Sequence, residues 1–542
     1  FLKSEQQEKK NAFFTWFNQA IDRLGQKYTH VVKLTCFNAK RSYLAVIIAF
    51  IGFWFVFSSL PTGFIPQEDQ GRFFVDITLP DAATVTRTNK VIQEAEKHVL
   101  AHDAVAYSFS LAGENRRAGS SQANGQLEVI LKPWSYRADK DYNVQQVLDE
   151  LKVVLDEIPT AQFNVYQPSA VSGVGSGSGV ELALQDRSGS NFEGLMETLN
   201  VFLDELNKQP EILKASSPVQ AQVPQLFLEV DREKAMALEV PIADVYSTMQ
   251  VLTGSSTIND FNLFGRVYRV KIQADEEFRA RPSDLNNFYV RSGNGAMVPM
   301  NVLAKISLTT GPSAINRYNL FSSANINASA ADGYSTGDVI EAIERVAQVT
   351  LPQGMDYEWT GLTFQEIKSA GQMNTALILA IIFVFLFLAA LYESWTLPLA
   401  VLLISPIAML GASLTVWLVG IENNLFFQVA FISLIGLAAK NSILIVEVAN
   451  QYYRKGMPAQ EAAFTAASVR FRPIMMTAAS FILGVLPLIL AVGPGSVSRQ
   501  SISYPILGGM VLASTIGIIL VPLFFITVAR FMKVTDRGDN NE

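Results

Sequence analysis

Lys440 is the residue of this chain whose position most clearly indicates chemistry. It lies in the middle of 426–453, an apolar run long enough to be a membrane-spanning helix. A charged side chain at the centre of a bilayer costs about 2.5–3.5 kcal/mol on insertion scales, so such residues mark ion or proton pathways or hold helices together by polar contacts. Glu447 follows two helical turns later on the same helical face. For Lys440 alone, a proton path and a structural polar contact both stay open.

Arg470 and Thr477 are seven residues apart, like Lys440 and Glu447, and lie where the next apolar run begins. Polar and ionisable groups that face one another inside a membrane can carry protons. Arg470 also precedes Pro473 near a cytoplasmic helix end, where a basic residue can act only as a topology anchor. The residues themselves therefore leave Arg470 open between a relay and an anchor.

Apolar runs that can cross a bilayer are the elements that position these groups. The sequence predicts six spans, at 42–60, 372–392, 397–419, 426–453, 473–492 and 502–528. Lysine and arginine concentrate before the first span, after the fourth and after the last, which predicts that these regions are cytoplasmic. The segment before the first span has apolar residues at helical spacing, which favours an amphipathic helix on the inner membrane surface or a plain linker helix.

The long stretch between the first two spans must then lie outside the cytoplasm. Alternating apolar residues predict strands there, and runs of helical period lie between them, the last with Ser335 or Thr336 as its N-cap. The fold class is thus an α-helical membrane bundle of six transmembrane helices with a large α+β extracytoplasmic domain, in which helices cover one face of mixed sheets.

Composition excludes several other classes. Hydrophobic residues make up 49% of the chain and charged residues 17%, and the net charge of -7 offers no basic face for nucleic acid. The single cysteine and three scattered histidines predict no disulfide framework, metal site or other cofactor. The glycine-rich segment 173–179 lacks the Gly-Lys-Ser/Thr of a nucleotide loop, so we expect a flexible joint there and an ion gradient as the energy source. The chain starts at Phe1 without a start methionine, which suggests a piece of something longer.

Several short sequences in these elements resemble one transporter family. The sequences are FIPQEDQG at 64–71, INDFNLFGRV at 258–267, YESW at 392–395, GLAAKNSILIVE at 436–447, RFRPIMMT at 470–477 and ILGVLPL at 482–488. In this order, along nearly the whole chain, they resemble the C-terminal half of the inner-membrane pump of a resistance-nodulation-division (RND) efflux transporter of the hydrophobe/amphiphile type.

The resemblance implies a secondary active transporter rather than an enzyme. It implies proton-driven efflux, a drug/proton antiport, of amphiphilic compounds from the inner membrane and periplasm through a tripartite pump. The implied partners are an N-terminal half of the pump, a homotrimer of the full pump, a periplasmic adaptor protein, an outer-membrane channel and membrane lipid. The implied location is the bacterial inner membrane, with a large periplasmic domain. The alternative is an RND-type exporter of a lipid or another endogenous amphiphile.

The resemblance also assigns roles and domains. It pairs Lys440 with two carboxylates of the missing half and makes Arg470 and Thr477 its partners in proton translocation. The implied domains are a cytoplasmic amphipathic segment (1–41), the first span (42–60), a first porter subdomain (61–168), a second porter subdomain (169–220 and 313–368), a docking subdomain (221–312), a five-helix bundle (369–532) and a cytoplasmic tail (533–542).

A substrate pocket is expected in the cleft between the two porter subdomains. The loop at 112–124 matches the loop that separates the inner and outer pockets of the family. The expected substrate-binding residues in and near it are Phe109, Glu114, Arg117, Glu128, Phe163, Val165 and Gln167. Charges at such positions favour charged amphiphiles over neutral aromatic drugs. The alternative is that these polar residues are solvated and point away from the cleft.

Overall fold

The computed structural model describes residues 12–81, 83–138, 142–171, 173–175, 177, 179–189, 192–331 and 333–538. The α-helices within them are α1 (Ala12–Phe37), α2 (Ala39–Ser58), α3 (Val85–Ala101), α4 (Trp134–Ala138), α5 (Val144–Asp156), α6 (Phe192–Leu206), α7 (Arg232–Ala237), α8 (Ile242–Met249), α9 (Met300–Leu303), α10 (Thr336–Thr350), α11 (Gly361–Tyr392), α12 (Leu397–Leu402), α13 (Ser405–Val419), α14 (Leu425–Arg454), α15 (Ala459–Ile489), α16 (Ser496–Leu512) and α17 (Ile518–Gly538).

The strands are β1 (Arg72–Thr78), β2 (Val105–Asn115), β3 (Gly119–Leu131), β4 (Gln162–Tyr166), β5 (Val180–Asp186), β6 (Ile212–Ser216), β7 (Val223–Val230), β8 (Ser256–Leu263), β9 (Arg266–Ile272), β10 (Tyr289–Arg291), β11 (Met297–Pro299), β12 (Ala304–Gly311), β13 (Asn316–Tyr318), β14 (Phe321–Ala330) and β15 (Met355–Trp359). The chain forms two compact units. One takes in the described residues of 1–79, 85–218 and 317–542, and the other is formed by those of 80–84 and 219–316.

Six helical stretches of the described chain are long and apolar enough to cross a membrane. They are Ala39–Ser58, Thr375–Tyr392, Leu397–Val419, Leu425–Arg454, Ala459–Ile489 and Ser496–Arg530. Each overlaps one of the six runs predicted from the sequence. The third is interrupted between α12 and α13, and the sixth contains a π-helical turn at Ala513–Gly517. Glu393 ends α11 in the left-handed conformation, which makes the tight turn at 392–395 possible.

Small residues let two of the spans approach closely. A Cβ on Gly411 would lie 2.5 Å from the carbonyl oxygen of Gly508, and one on Gly508 would lie equally close to that of Gly411. This contact joins α13 to α16 in the way that small residues join helices in membranes. Helix α1, which is not one of the six, packs on α15 and α17, where Tyr28 stacks on Phe471 at 4.7 Å and donates a hydrogen bond to the Ile518 carbonyl.

The first sheet has the strand order β2-β3-β1-β4, and each registered pair is antiparallel. Helices α3 and α5 cover one of its faces, and α3 lies so close that a Cβ on Gly125 would be 2.6 Å from Ile92. The second sheet has the order β13-β14-β5-β15, with β6 also paired to β14, and is covered by α6 and α10. Ser335 caps α10 through a capping box with Asp338, which confirms the predicted N-cap.

Two sequence-based expectations were wrong in detail. We predicted mixed sheets, but the registered pairs of both sheets are antiparallel, because the strands that a helix connects are separated by a third strand, as β3 separates β1 from β2. We also predicted a loop at 112–124. Most of it is β-hairpin, since β2 continues to Asn115 and β3 begins at Gly119. Asn115 Oδ1 accepts a hydrogen bond from the Ala118 amide at 2.6 Å, and this bond closes the turn between β2 and β3.

The segment 64–71 joins the first sheet to the membrane bundle. Glu68 Oε1 accepts two hydrogen bonds from Ser498, at the start of α16. One comes from the backbone amide at 2.7 Å and the other from the side-chain hydroxyl at 2.6 Å. The next carboxylate, Asp69, forms an ion pair at 2.6 Å with Arg137, whose side chain is only 2% exposed. The backbone then enters β1 directly after Gly71.

The second unit has a small core of its own. Its buried residues are Ala235, Val240, Val245, Leu285, Phe288, Val290, Met300 and Leu303. Strands β7 and β12 pair antiparallel, and the β8–β9 hairpin carries many exposed apolar side chains, among them Phe264 at 89% exposure.

Candidate functional site

Lys440 lies at the centre of α14 and faces out of the helical bundle of this chain. Its neighbours Ala439 and Asn441 are buried, and Asn441 donates a hydrogen bond to Ser514 Oγ at 3.1 Å. Lys440 itself is exposed, on a stripe that also contains Ser433 and Gly436. Its ammonium group takes part in none of the hydrogen bonds or ion pairs formed by the described residues. An unpaired charge at the middle of a span is costly in lipid, so this stripe needs a polar partner.

Arg470 and Thr477 lie on α15, which packs along α14. Arg470 is half-buried, and its Nε has no hydrogen-bond partner within the part of the chain that the structure describes. Thr477 donates to the carbonyl oxygen of Ile474 in its own helix at 3.0 Å. Among the described residues, no hydrogen bond or ion pair joins Lys440, Arg470 and Thr477 to one another. The structure therefore places them on two neighbouring helices, without the direct network that a complete relay would need.

A second candidate site is a cavity of about 590 Å³ outside the predicted spans. One wall is the outer edge of the first sheet at β4, and another is formed by β6, β14 and the start of α10. The third wall consists of the segment 64–67, the 420–424 connection between α13 and α14, and the first turns of α16. Its apolar lining includes Phe64, Ile65, Leu148 and Leu213, and its charged lining consists of Arg117, Asp149, Lys152, Lys214 and Glu422. A cavity with apolar walls and a few charges suits an amphiphile.

Register divides the residues of the first sheet between its two faces. Phe74 lies opposite Glu128 and Tyr166, and Glu128 lies opposite Phe109 on β2. Asp76 belongs to the same face, because it is two residues from Phe74. This face is the one that α3 and α5 do not cover. Two of the predicted substrate residues, Phe109 and Glu128, thus lie side by side on the open face.

The hairpin between β2 and β3 folds its two arginines onto this open face. The Arg116 guanidinium lies 4.3 Å from the centre of the Phe74 ring, and that of Arg117 lies 4.0 Å from the Tyr166 ring. A Cβ on Gly177 would lie 2.8 Å from Arg117 and 2.9 Å from the Tyr166 ring. The glycine-rich segment thus holds Arg117 against the ring, in a contact that a larger residue at 177 would disturb.

The other predicted substrate residues have different surroundings. Phe163 and Val165 are opposite Ile77 and Val75 and belong to the helix-covered face, although they reach the cavity at the sheet edge. Gln167 donates to Gln145 Oε1 at 3.4 Å, and Glu114 is exposed. Glu128 forms an ion pair with Arg72 at 3.2 Å, so its charge is already matched.

Asp76 and Tyr166 are functional candidates that the sequence analysis missed. Asp76 is 4% exposed and Tyr166 is 6% exposed, and the Asp76 carboxyl and the Tyr166 hydroxyl interact with each other. Burial raises the pKa of the Asp76 carboxyl, against the lowering effect of the Gln126 amide, which donates to Oδ1 at 2.7 Å, and of both arginines. The signal in the sequence was the single acid in the apolar strand β1, where period-two alternation assigns it to the face away from the core.

The glycine-rich segment also surrounds a carboxylate of the protein. The Gly177 amide donates to Glu181 Oε1 at 3.3 Å, and a Cβ on Gly175 would lie 3.0 Å from Glu181 Oε2. A carboxylate of the chain therefore occupies the position where a phosphate loop would hold its ligand. Residues 172, 176 and 178, which belong to or adjoin the predicted joint, lie outside the described residues.

Two carboxyl groups lie near the membrane end of the cavity. Thr336 donates to Glu366 Oε1 at 3.1 Å, and burial, with repulsion from Glu422, raises the pKa of the Glu366 carboxyl to about 7. Burial, with repulsion from Asp338, also raises the pKa of Glu422. Glu366 therefore changes its charge near neutral pH.

Comparison with known proteins agrees with this architecture. The AcrB/AcrD/AcrF family matches residues 1–529. The chain is 38% identical over 530 residues to the multidrug/solvent efflux pump membrane transporter MepB of Pseudomonas putida, covering 97% of this chain and 50% of MepB. It is 36% identical over 536 residues to the multidrug export protein AcrF of Escherichia coli, covering 98% of this chain and 52% of AcrF. The chain thus spans about half the length of these relatives. As the sequence motifs predicted, it belongs to the AcrB/AcrD/AcrF family of RND transporters.

Proposed function

We propose that this chain is the C-terminal half of a proton-driven RND pump that exports amphiphilic compounds from the inner membrane and periplasm of a bacterium. A companion N-terminal half completes its transport unit. The relatives named above are efflux transporters, and this chain matches about half of each of them.

The observation that carries this proposal is Lys440 at the centre of α14, which is exposed and forms no ion pair with any residue that the structure describes. Its stripe contains small side chains, Ser433 and Gly436, and small residues in a membrane helix favour close packing against another helix. A companion helix on this stripe that carries carboxylates would pair with Lys440. Protonation of those carboxylates would then release the lysine, because the attraction is lost when the acid is neutral.

Arg470 and Thr477 complete the proposed relay on α15. The unpartnered Nε of Arg470 leaves a donor available, and the Thr477 hydroxyl is engaged only within its own helix. A transmembrane potential supplies about 2.3 kcal/mol per charge per 100 mV for a proton that crosses by this route.

The proposed assembly is a homotrimer that binds a periplasmic adaptor and an outer-membrane channel. The second unit, 219–316, has its own core and nearly coincides with the docking subdomain expected at 221–312. Its β8–β9 hairpin exposes Ile258, Phe261, Phe264 and Val267, which is apolar surface that suits burial against another subunit. The two sheets of the first unit would be the porter subdomains, 61–168 and 169–220 with 313–368.

The alternative substrate is a membrane lipid or another endogenous amphiphile. One wall of the cavity is built from the 420–424 connection and from residues 497–501 at the start of α16, close to the level where lipid headgroups would lie. If expression of the pump gives drug resistance, the substrates are foreign amphiphilic compounds. If a lipid accumulates in the inner membrane of a strain that lacks the pump, the substrate is that lipid.

The relay is tested by replacing Lys440 with methionine, which keeps the length of the side chain and removes its charge. The variant is expressed with the companion half in a bacterium that lacks its own pumps, and dye efflux is measured at matched membrane levels. We expect Lys440→Met to abolish efflux. The control Lys455→Met, at the C-terminal end of α14, should transport normally. Efflux of Lys440→Met near the wild-type rate would exclude a proton-coupling role for Lys440.

A further inference from the structure

Helix α11 connects the second sheet to the bundle of predicted spans. The Thr360 amide donates a hydrogen bond to the Glu181 carbonyl oxygen at 3.0 Å, and the Thr363 hydroxyl accepts one from the Glu181 amide at 3.0 Å. These bonds fix the start of α11 to β5. The helix then continues unbroken into the second predicted span. A movement at the start of α11 would therefore also move this span.

Three segments of the chain meet beside the start of α11. The Asn423 amide donates a hydrogen bond to the Pro61 carbonyl oxygen at 2.8 Å, and the Gly63 amide donates one to the Asn423 carbonyl oxygen at 3.3 Å. The Gly337 amide, in the first turn of α10, donates to the Thr62 carbonyl oxygen at 3.2 Å. The segment after α2 thus joins the start of α10 to the connection between α13 and α14.

The carboxyl groups of Glu366 and Glu422 lie close to each other at this junction. Glu366 Oε1, on α11, accepts a hydrogen bond from the Thr336 hydroxyl at 3.1 Å. A Cβ on Gly63 would collide with Glu422 Oε2, so the Glu422 carboxyl is held against the backbone. Neither carboxyl forms an ion pair with a residue that the structure describes. Because Glu422 lines the cavity, water can reach the pair from there.

The other charged groups near this carboxyl pair do not neutralise it. Strand β5 contributes Glu181 and α10 contributes Asp338, which are both acidic, and the segment 61–64 contains no charged residue. Lys368 follows Glu366 on α11, but residues two apart on a helix do not face each other. Two carboxylates that are partly out of water and have no cation between them repel each other, so the pair holds a proton more tightly than an isolated carboxyl does. The raised pKa of the Glu366 carboxyl, about 7, agrees with this geometry.

We propose that Glu366 and Glu422 form a proton-binding site outside the membrane-spanning segments, and that loss of its proton separates the start of α11 from the 420–424 connection. While the proton is bound, at most one of the two carboxyls is charged. When the carboxyl O–H bond breaks and the proton passes to water in the cavity, both carboxylates are charged and repel each other. The continuous helix α11 then carries this displacement into the second predicted span. The site is separate from the relay proposed at Lys440, so the inference does not depend on that relay.

The experiment measures a distance across the junction as the pH changes. Spin labels are attached to Gln365→Cys on α11 and Val419→Cys at the end of α13, two exposed positions, in the full chain with Cys36→Ser. Double electron–electron resonance in detergent gives the distance from about pH 5 to about pH 8. We expect this distance to increase as the pH rises, with a midpoint near the pKa of about 7 of the Glu366 carboxyl.

Four variants separate the carboxyl pair from other titrating groups. Glu366→Gln should keep the short distance at every pH, because its amide oxygen still accepts from Thr336 and cannot ionise. Glu422→Gln should lower the midpoint, because the repulsion that opposes ionisation of Glu366 is removed. The control Glu344→Gln, an exposed carboxyl on α10, should leave the midpoint unchanged. Lys440→Met should also leave it unchanged, because Lys440 takes no part in this site.

Three results would overturn the inference. A wild-type distance that is the same at every pH would show that the junction does not respond to protonation. A pH response that persists in Glu366→Gln, or that disappears in Lys440→Met, would assign the response to another group. At pH 5 the Glu366→Gln chain should have the wild-type distance, and a different distance there would show that the neutral side chain does not hold the junction closed.

Discussion

Glu366 shows how the surroundings of one carboxyl group set the pH at which it changes charge. It is partly buried beside Thr336, and the nearby Glu422 carboxylate opposes its ionisation. These surroundings raise its pKa from 4.5 to about 7, so the folded protein holds a proton that the unfolded chain has already released. The ionised form therefore destabilises the fold, by an amount that is absent below pH 4.5 and complete above pH 7.

We predict that the stability of the chain falls as the pH rises from about 4.5 to 7, with up to about 3 kcal/mol of this loss due to Glu366. Glu366→Gln should flatten this pH dependence, because the amide keeps the contact with Thr336 and cannot ionise. The measurement is thermal unfolding in detergent across this pH range. Glu341→Gln, on the exposed side of the same α10, is the matched control. A pH profile of Glu366→Gln identical to that of the wild type would refute the assignment.

At the scale of elements, glycines decide how closely α13 and α16 pack. A Cβ on Gly508 would lie 1.8 Å from Thr415 Oγ1 and 2.5 Å from the Gly411 carbonyl oxygen. By contrast, nothing lies within 4 Å of a Cβ on Gly436, in the exposed stripe of α14. Replacing either glycine with alanine adds the same methyl group, but at Gly508 the methyl group meets close neighbours and at Gly436 it meets none.

We predict that Gly508→Ala destabilises the bundle by about 1–3 kcal/mol, because the helices must separate to admit the methyl group. Gly436→Ala should not destabilise the isolated chain and should stabilise it by up to about 1 kcal/mol, because alanine favours a helix over glycine. Thermal unfolding of both variants in the same detergent compares them directly. Equal stabilities would mean that α13 and α16 can shift without cost and that their close approach is not required.

The elements could be predicted where local periodicity decides them. The span that contains Lys440 and the capped start of α10 were both found from the sequence, because each depends on residues near one another in the chain. The cluster of Asp76, Arg117 and Tyr166 could not be predicted from the sequence, because it depends on pairings between strands that are far apart in the chain. The hairpin at 112–124 was missed because its glycines and polar residues resemble a loop, whereas the ladder between β2 and β3 continues as far as Asn115 and Gly119.

At the scale of the whole molecule, the exposed stripe of α14 favours the proposed companion half. Lys440 would face lipid if the chain were alone in the membrane, where an unpaired charge is costly. We predict that the chain alone gives no drug resistance in a pump-deficient bacterium with two membranes, and that co-expression of the matching N-terminal half restores it. Growth on a panel of amphiphilic drugs measures the effect. The control is the Lys440→Met chain expressed with the companion half. It should assemble but give no resistance, because proton coupling is lost. Full resistance from this chain alone would contradict the two-half architecture.

The adjacent carboxylates Glu68 and Asp69 also have a mechanical consequence. Glu68 holds the first turn of α16, and Asp69 holds the buried Arg137 at the base of the first sheet. Since successive Cα atoms are only about 3.8 Å apart, the two anchors have almost no slack between them. A tilt or axial slide of the sixth span by more than about 2–3 Å would have to strain these bonds or carry β1 along with it. The segment is thus a short, stiff link between α16 and β1. A displacement of α16 in the bilayer would therefore also displace the cavity wall.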